Sequence, residues 1–404
     1  MRVQRLSLPA LLSVTALGAL ALLGTSSSSA VTGCDRYASP TGSDGAAGSE
    51  ASPFATAQKL ADSLVAGQTG CLRGGTYDPG SMYALKVMRG GTSSAPLTVR
   101  SYPGETAKLV GITYVPRGSN FVKLSRLKIE GHGTQNTLQI NASDTILESS
   151  DITNLRRGKS CVMLGDNSSY GPAVRTIVRR NVFHDCGDPS TGNQDHSIYA
   201  ANASDGQIVD NVFYNQSGYS LHLYPNSRNM LVAHNVIDGG GSIRGGAIFG
   251  SDSSYASNDN IVEKNVITHA ATYGIDAWWG GTTGTGNIAR NNCLFANKLG
   301  DVVSPKGFTA SANTVTDPLF VNRTARDYRL GAASGCLSVV GYDTAALIAS
   351  GGATPPPPPS GDTTAPVASW STPLTGGTVQ GLLNEVSANC LVSASDDVAV
   401  TQVD

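Results

Sequence analysis

His222, Asp276 and Arg244 are the residues of this sequence best suited by type and position to proton transfer and charge recognition. An imidazole exchanges protons near neutrality and a carboxylate can share that work, so His222 and Asp276 fit general acid–base roles. Arg244, in the loop Gly239-Gly-Gly-Ser-Ile-Arg-Gly-Gly246, has the planar fork that grips a carboxylate. His222 or Arg244 is the expected base for a proton beside such a carboxylate. Tyr199, Tyr224, Phe249 and Trp278 offer flat apolar faces that suit a sugar ring. Asp185, Asp188 and Asp195 fall together in His184-Asp-Cys-Gly-Asp-Pro-Ser-Thr-Gly-Asn-Gln-Asp-His196, a loop rich in the oxygen ligands that calcium takes. A Ca2+ ion there would neutralise a uronate and acidify its C5 proton. Each residue also has a plainer use, since loop aspartates form turns and aromatic residues favour strands.

What gathers these residues is an internal repeat. Short β-type runs such as Thr176-Ile-Val-Arg-Arg-Asn-Val182 and Asn260-Ile-Val-Glu-Lys-Asn-Val266 end in an Asn followed by an apolar residue. The markers are Asp151, Asn181, Asn211, Asn235, Asn265, Asn292 and Asn313, spaced 21 to 30 residues apart. A period of this size with no helical pattern between its strands is the mark of a β-solenoid. Stacked at one corner, the Asn side chains would bond turn backbone in a ladder and tolerate a left-handed conformation. A second strand lies in each repeat, with Ile198, Leu221, Ile248 and Ile275 as one inward column. Their neighbours Tyr199, His222, Phe249 and Asp276 then face outward, and two residues on come Ala201, Tyr224, Ser251 and Trp278. Rungs about 4.8 Å apart would bring these side chains into contact. The expected fold is all-β, a right-handed parallel β-helix.

The remainder of the chain frames that solenoid. Arg2 and Arg5, the apolar run from Leu6 to Leu23 and the small residues Ser28-Ser29-Ala30 read as an export signal over residues 1–30. No later stretch is apolar for long enough to span a bilayer. Ser52-Pro-Phe-Ala-Thr-Ala-Gln-Lys-Leu-Ala-Asp-Ser-Leu64 reads as a helix capping the solenoid, with Ser52 as N-cap and Pro53 at its first position. Phe54, Ala57, Leu60, Ala61 and Leu64 would form its buried face. The β-helix domain is placed at 31–350 and a stiff Pro/Gly-rich linker at 351–361. A partial module follows at 362–404, with strand character over 386–394 and 398–403. Net charge is −2 and only 14% of residues are charged, which argues against nucleic acid as a partner. Seven cysteines in an exported chain imply disulfides, and neighbourhood suggests Cys34–Cys71, Cys161–Cys186 and Cys293–Cys336, with Cys390 left over.

Three stretches carry a family resemblance. Tyr37-Ala-Ser-Pro-Thr-Gly-Ser-Asp-Gly45, Pro53-Phe-Ala-Thr56 and Gly67-Gln-Thr-Gly-Cys-Leu-Arg-Gly-Gly-Thr-Tyr77 resemble the N-terminal signature of secreted right-handed β-helix proteins of the pectate-lyase-like superfamily. Asp317-Pro-Leu-Phe-Val-Asn322 with Asp327-Tyr-Arg-Leu330 resembles their closing segment, and 362–404 resembles the start of a bacterial Ig-like repeat. The group includes polysaccharide lyases, hydrolases and epimerases, so a shared fold does not carry one reaction. The aspartate cluster and catalytic lysine of family 9 polysaccharide lyases are not matched by a complete motif here. With the export signal, the expectation is a secreted, monomeric protein acting on an extracellular polysaccharide, first as a lyase on a uronic-acid-containing glycan. A glycoside hydrolase would instead use two carboxylates, Asp276 with Asp195 or Asp252. A glycan-binding or adhesive surface protein would use the aromatic strip alone.

Overall fold

The short runs of apolar and β-branched residues become short parallel strands, each paired to the equivalent strand one repeat away. The computed structural model describes residues 33–340, apart from 134, 192–194 and 280–283, together with 367–372 and 391–395. Among them the chain winds through three parallel sheets of eleven, ten and ten strands. One repeat runs from Gln207–Val209 in the first sheet to Val212–Tyr214 in the third, then to Leu221–Arg228 in the second. The next begins at Leu231–Ala233, directly beside Gln207–Val209. This is a right-handed parallel β-solenoid, the handedness that twisted parallel strands impose on their crossovers.

Its interior is a set of stacked apolar columns. Val178, Ile208, Val232 and Val262 line one wall and Phe183, Phe213, Ile237 and Ile267 another, all fully buried. Phe183 and Phe213 stack at 4.9 Å between ring centroids. Each such side chain contributes about 1.5–3 kcal/mol relative to its exposed state.

The asparagine ladder holds the corner between the first and third sheets. The Oδ1 atoms of Asn211, Asn235, Asn265, Asn292 and Asn313 each accept the backbone N–H of the ladder residue one rung before, at 2.9–3.0 Å. The left-handed residue is not the asparagine but the one before it: Arg180, Asp210, His234, Lys264, Asn291 and Ala312 have φ of 52–56°. Holding non-glycine residues there costs roughly 1–2 kcal/mol apiece, and the ladder bonds oppose that cost. Asp151 is not a member. Ser150 occupies the ladder position, its N–H donating to Asn181 Oδ1 at 3.0 Å, and Asp151 pairs one place later with Val182. A second, shorter ladder runs from Asn260 to Asn287.

The N-terminal helix is shorter than its sequence suggests. It spans Ala57–Ser63, and Thr56 rather than Ser52 is its N-cap, accepting from Lys59 N at 3.1 Å. Asp44 holds the start by accepting from the N–H groups of Ala55 and Thr56, both at 2.9 Å. Phe54, Ala57, Leu60, Ala61 and Leu64 are all buried, and Leu60 and Leu64 lie over Gly70, where any Cβ would collide with them. The three disulfides Cys34–Cys71, Cys161–Cys186 and Cys293–Cys336 are formed. Beyond the solenoid, Val367–Thr372 pairs antiparallel with Leu391–Ser395. The export signal, the linker and the strand at 398–403 lie outside the described residues. No helix among the described residues is long and apolar enough to cross a membrane.

Candidate active site

The outer face of the second sheet is built from Ile198–Ser204, Leu221–Arg228, Ala247–Ser251 and Tyr273–Trp279. Tyr199 pairs with His222, His222 with Ile248 and Ile248 with Asp276, so these four form one outward row. The inward column is Ile198, Leu221, Ala247 and Ile275. The strand Ala247–Ser251 therefore sits one residue from its expected register. Phe249 does not belong to the outer strip: it is fully buried, pairs with Leu223 and Ala277, and stacks on Phe308 at 5.0 Å. All five residues of that strand are buried, so Ala-Ile-Phe offers no polar alternation from which to read which face is which.

The other strip residues do converge. The rings of Tyr199, His222 and Tyr224 are nearly parallel, with centroids 5.0 Å apart for Tyr199–His222 and 5.1 Å for His222–Tyr224. Gly250 fills the next place in Tyr224's row; a Cβ there would lie 2.7 Å from the Tyr224 ring. Trp278 pairs with Gly250 and is 59% exposed. The bare Cα of Gly250 thus lets the Tyr224 ring pack over that strand, beside the exposed Trp278.

Two further residues belong to this cluster. The Tyr219 hydroxyl donates to Asp276 Oδ2 at 2.9 Å, and Asp276 Oδ1 accepts from Ala277 N at 2.8 Å. Burial, then the Asp276 charge, raises the Tyr219 phenol well above its ordinary range, so it keeps its proton. His196 accepts the Tyr219 backbone N–H on Nδ1 at 3.1 Å, and its Nε2 lies 2.8 Å from His222 Nδ1. A neutral imidazole has one donor and one acceptor nitrogen. His196, accepting on Nδ1, must therefore donate from Nε2, and His222 must accept on Nδ1 and carry its hydrogen on Nε2. That Nε2 is buried and meets no hydrogen-bond partner among the described residues. Burial, with His196 and Arg244 adding to it, holds the His222 imidazole well below its usual pKa; burial and Arg244 take His196 down to about 3. Both rings are neutral at physiological pH, and His222 presents a donor rather than the lone pair a base needs.

Arg244 is half-buried, and its charge is felt by His196, His222 and Tyr219. Its loop is pinned on both sides, by Arg244 N donating to Ser242 Oγ at 2.9 Å and by Ala271 N donating to Arg244 O at 2.9 Å. His222, Asp276, Arg244, Tyr199, Tyr224 and Trp278 therefore share one surface, joined by His196 and Tyr219.

A family model described as the right-handed β-helix region matches residues 110–318. The chain belongs to that family.

Individual β-helix relatives match more narrowly. Pectate lyase PEL9 of Emericella nidulans is 44% identical over 82 residues, a stretch covering 20% of this chain and 20% of that protein. The chain thus matches about a fifth of that relative's length. The solved complex of XylC with xylose superposes with a TM-score of 0.50 at 12% identity, covering 68% of this chain and 69% of that one. Pectate lyase Pel9A superposes at 0.46 and 14% identity, over 74% and 90%. At these identities the structural likeness is one of fold.

The aspartate loop of this β-helix protein is arranged for other purposes than one donor set. Asp185 bonds His184 at 2.6 Å and receives the Asn215 amide, Asp188 caps its own turn through Ser190 N at 2.8 Å, and buried Asp195 accepts from Thr191. Among the described residues no group of three or more His, Cys, Asp or Glu side chains is placed to hold a metal ion. Among the described residues the three aspartates do not form a shared calcium site. His196 and Tyr219 had a legible signal: both stand two residues before an inward strand residue, in His196-Ser-Ile198 and Tyr219-Ser-Leu221, so consecutive rungs stack them.

Proposed function

We propose that this β-helix protein is an extracellular polysaccharide lyase that cleaves a uronic-acid-containing glycan by β-elimination on the outer face of its second sheet. The observation that carries the reading is the Tyr219–Asp276 pair, set on the same face as Arg244 and flanked by the Tyr199/Tyr224 platform and Trp278. In elimination the C5–H and C4–O4 bonds break, a C4–C5 double bond forms, and the departing oxygen takes a proton. Arg244 would face the uronate carboxylate and offset the charge that builds there. The Asp276 carboxylate would take the C5 proton, and the Tyr219 phenol, held protonated, would supply one to O4. Their shared hydrogen bond then lets the proton return. His222, fixed by His196 as a donor, would position the aromatic platform.

Hydrolysis would need a second carboxylate opposite Asp276. Asp252 is committed to its own turn, accepting from Ser254 N at 2.8 Å and Tyr255 N at 2.7 Å, and Asp195 is 3% exposed. The pectate lyase match and the three disulfides of an oxidising compartment support the same reading. Its test is product analysis after digestion of uronate polysaccharides in heavy-oxygen water. Elimination leaves unsaturated ends with no solvent oxygen. Solvent oxygen at the new reducing end would make the protein a hydrolase, and binding without products would make it a glycan-binding protein.

A further inference from the structure

The geometry points to a second binding site, for a small oxyanion, where the C-terminal segment closes against the third sheet. A cavity of about 340 Å3 lies there, lined by Asn215, Gly240, Gly241, Arg323, Thr324 and Arg326. That is at the lower end of the roughly 300–1,000 Å3 typical of small-molecule sites, and none of its lining belongs to the cluster around Tyr219.

Its cations are held in place before any ligand arrives. Arg323 grips the fully buried Asp238 with two hydrogen bonds, at 2.9 Å from Nε and 2.7 Å from Nη2. Asp238 also accepts from the Tyr328 hydroxyl at 2.9 Å and from Gly240 N at 3.0 Å. Gly240 permits this approach, since a Cβ there would fall 2.5 Å from Arg323 Nη2. These bonds account for Arg323 as the clamp that fastens the C-terminal segment. They do not account for Arg326. Its Nη1 donates to the Tyr328 hydroxyl at 3.3 Å and lies 3.8 Å from the same Asp238 carboxylate, and its guanidinium rests 4.6 Å over the Tyr214 ring. A third guanidinium, that of Arg156, backs the lining through Asn215 Oδ1 at 2.7 Å and Gly241 O at 3.3 Å.

Charge then decides the occupant. Arg323 and Arg326 share one carboxylate, and neither can lose its proton. Asp185, which reaches Asn215 from the other side, is already bonded to His184. The lining thus carries positive charge in excess of its nearest carboxylate, while Arg323 and Arg326 stay 37% and 45% exposed. The site takes a carboxylate, sulfate or phosphate group, free or carried on a glycan chain.

The full chain is titrated by calorimetry with inorganic sulfate and, separately, with a short uronate oligosaccharide, at constant ionic strength set with chloride. Arg323→Gln would strip the buried Asp238 and can unfold the segment, so Arg326→Gln, which removes the bond to Tyr328 but keeps both Arg323–Asp238 hydrogen bonds, is the variant to compare. Saturable binding that weakens at least about tenfold in Arg326→Gln and persists in Asp276→Asn is the expected result, tenfold being the loss of one hydrogen bond to a charged group. Sulfate binding alone marks a site for free anions, whereas tighter binding of the oligosaccharide marks an anchor for an acidic glycan. Absence of binding by both probes, or equal binding by wild type and Arg326→Gln, overturns the inference. Loss of binding in Asp276→Asn would assign the anion to the other face.

Discussion

Asn235→Ala tests how the solenoid is held together. Asn235 is fully buried in the middle of the ladder. Its Oδ1 accepts from Asn211 N at 2.9 Å and Asn211 Nδ2 at 3.0 Å; its Nδ2 donates to Ile208 O at 2.8 Å, Ala233 O at 3.0 Å and Asn265 Oδ1 at 2.9 Å. Alanine leaves at least the Asn211 N–H and the Ile208 carbonyl without these partners, in a place water does not reach. Each stripped group costs about 1–3 kcal/mol, so the change should destabilise by roughly 2–6 kcal/mol. That is a large share of a domain stability of about 5–15 kcal/mol. Asn313 closes the ladder and is only half-buried, accepting from Asn292 N at 3.0 Å. Water can replace its bonds, so Asn313→Ala should cost about 1 kcal/mol. Denaturant midpoints of the two variants should differ accordingly. Equal shifts, or a negligible shift for Asn235→Ala, would refute the claim that buried ladder bonds hold the corner.

Other outcomes follow from the register and the titrating groups. Phe249→Ala should destabilise by about 3–5 kcal/mol as a core truncation, while Trp278→Ala should stay within about 0.5 kcal/mol and weaken glycan binding; the reverse pattern in thermal melting would restore the expected register. His196 and His222 have folded pKa values below the unfolded value of about 6.5, so their contribution is complete above that pH and is lost as pH falls toward the folded values. His184 runs the other way. Burial alone would lower it, but Asp151 and Asp185 raise it on balance. Its contribution is full below about pH 6.5 and lost as pH rises through the folded value. Melting across pH should therefore show two limbs, and His184→Gln should flatten only the alkaline one. Replacing both Cys161 and Cys186 by alanine opens a loop of 25 residues and should lower the unfolding free energy by about 3.5 kcal/mol, read as a fall in the denaturation midpoint; an unchanged midpoint would mean the loop is ordered without its cross-link.

Much of the scaffold was legible because its signals repeat. Ile198, Leu221 and Ile275 were correctly read as inward because polar or aromatic neighbours mark the other face, and the Asn markers fixed the period from Asn181 onward. Asp151 misled because an acidic residue imitates an asparagine when Ser150 does the ladder's work. Ala247-Ile-Phe249 misled because a strand buried on both faces carries no alternation. At the helix, Ser52-Pro53 resembled a start, but Thr56 supplies the cap and Asp44, distant in sequence, holds it. Most of the site came from outward parity on one sheet. His196 and Tyr219 escape a reading of single strands because their roles depend on contacts across rungs, and the spacing of the loop aspartates suggests shared ligands where Asp185 and Asp195 instead bond the local His184 and Thr191.

The measurement that bears most directly on the central claim is the release of ultraviolet-absorbing unsaturated products from uronate polysaccharides, compared between the wild-type full chain, Tyr219→Phe and Asp276→Asn. The account predicts a steady rise for the wild type, and for each variant a fall of a hundredfold or more, roughly the size of an acid–base contribution, with glycan binding retained. A wild-type rate left intact by both substitutions would place the chemistry elsewhere, and no rise on any such substrate would contradict the lyase reading.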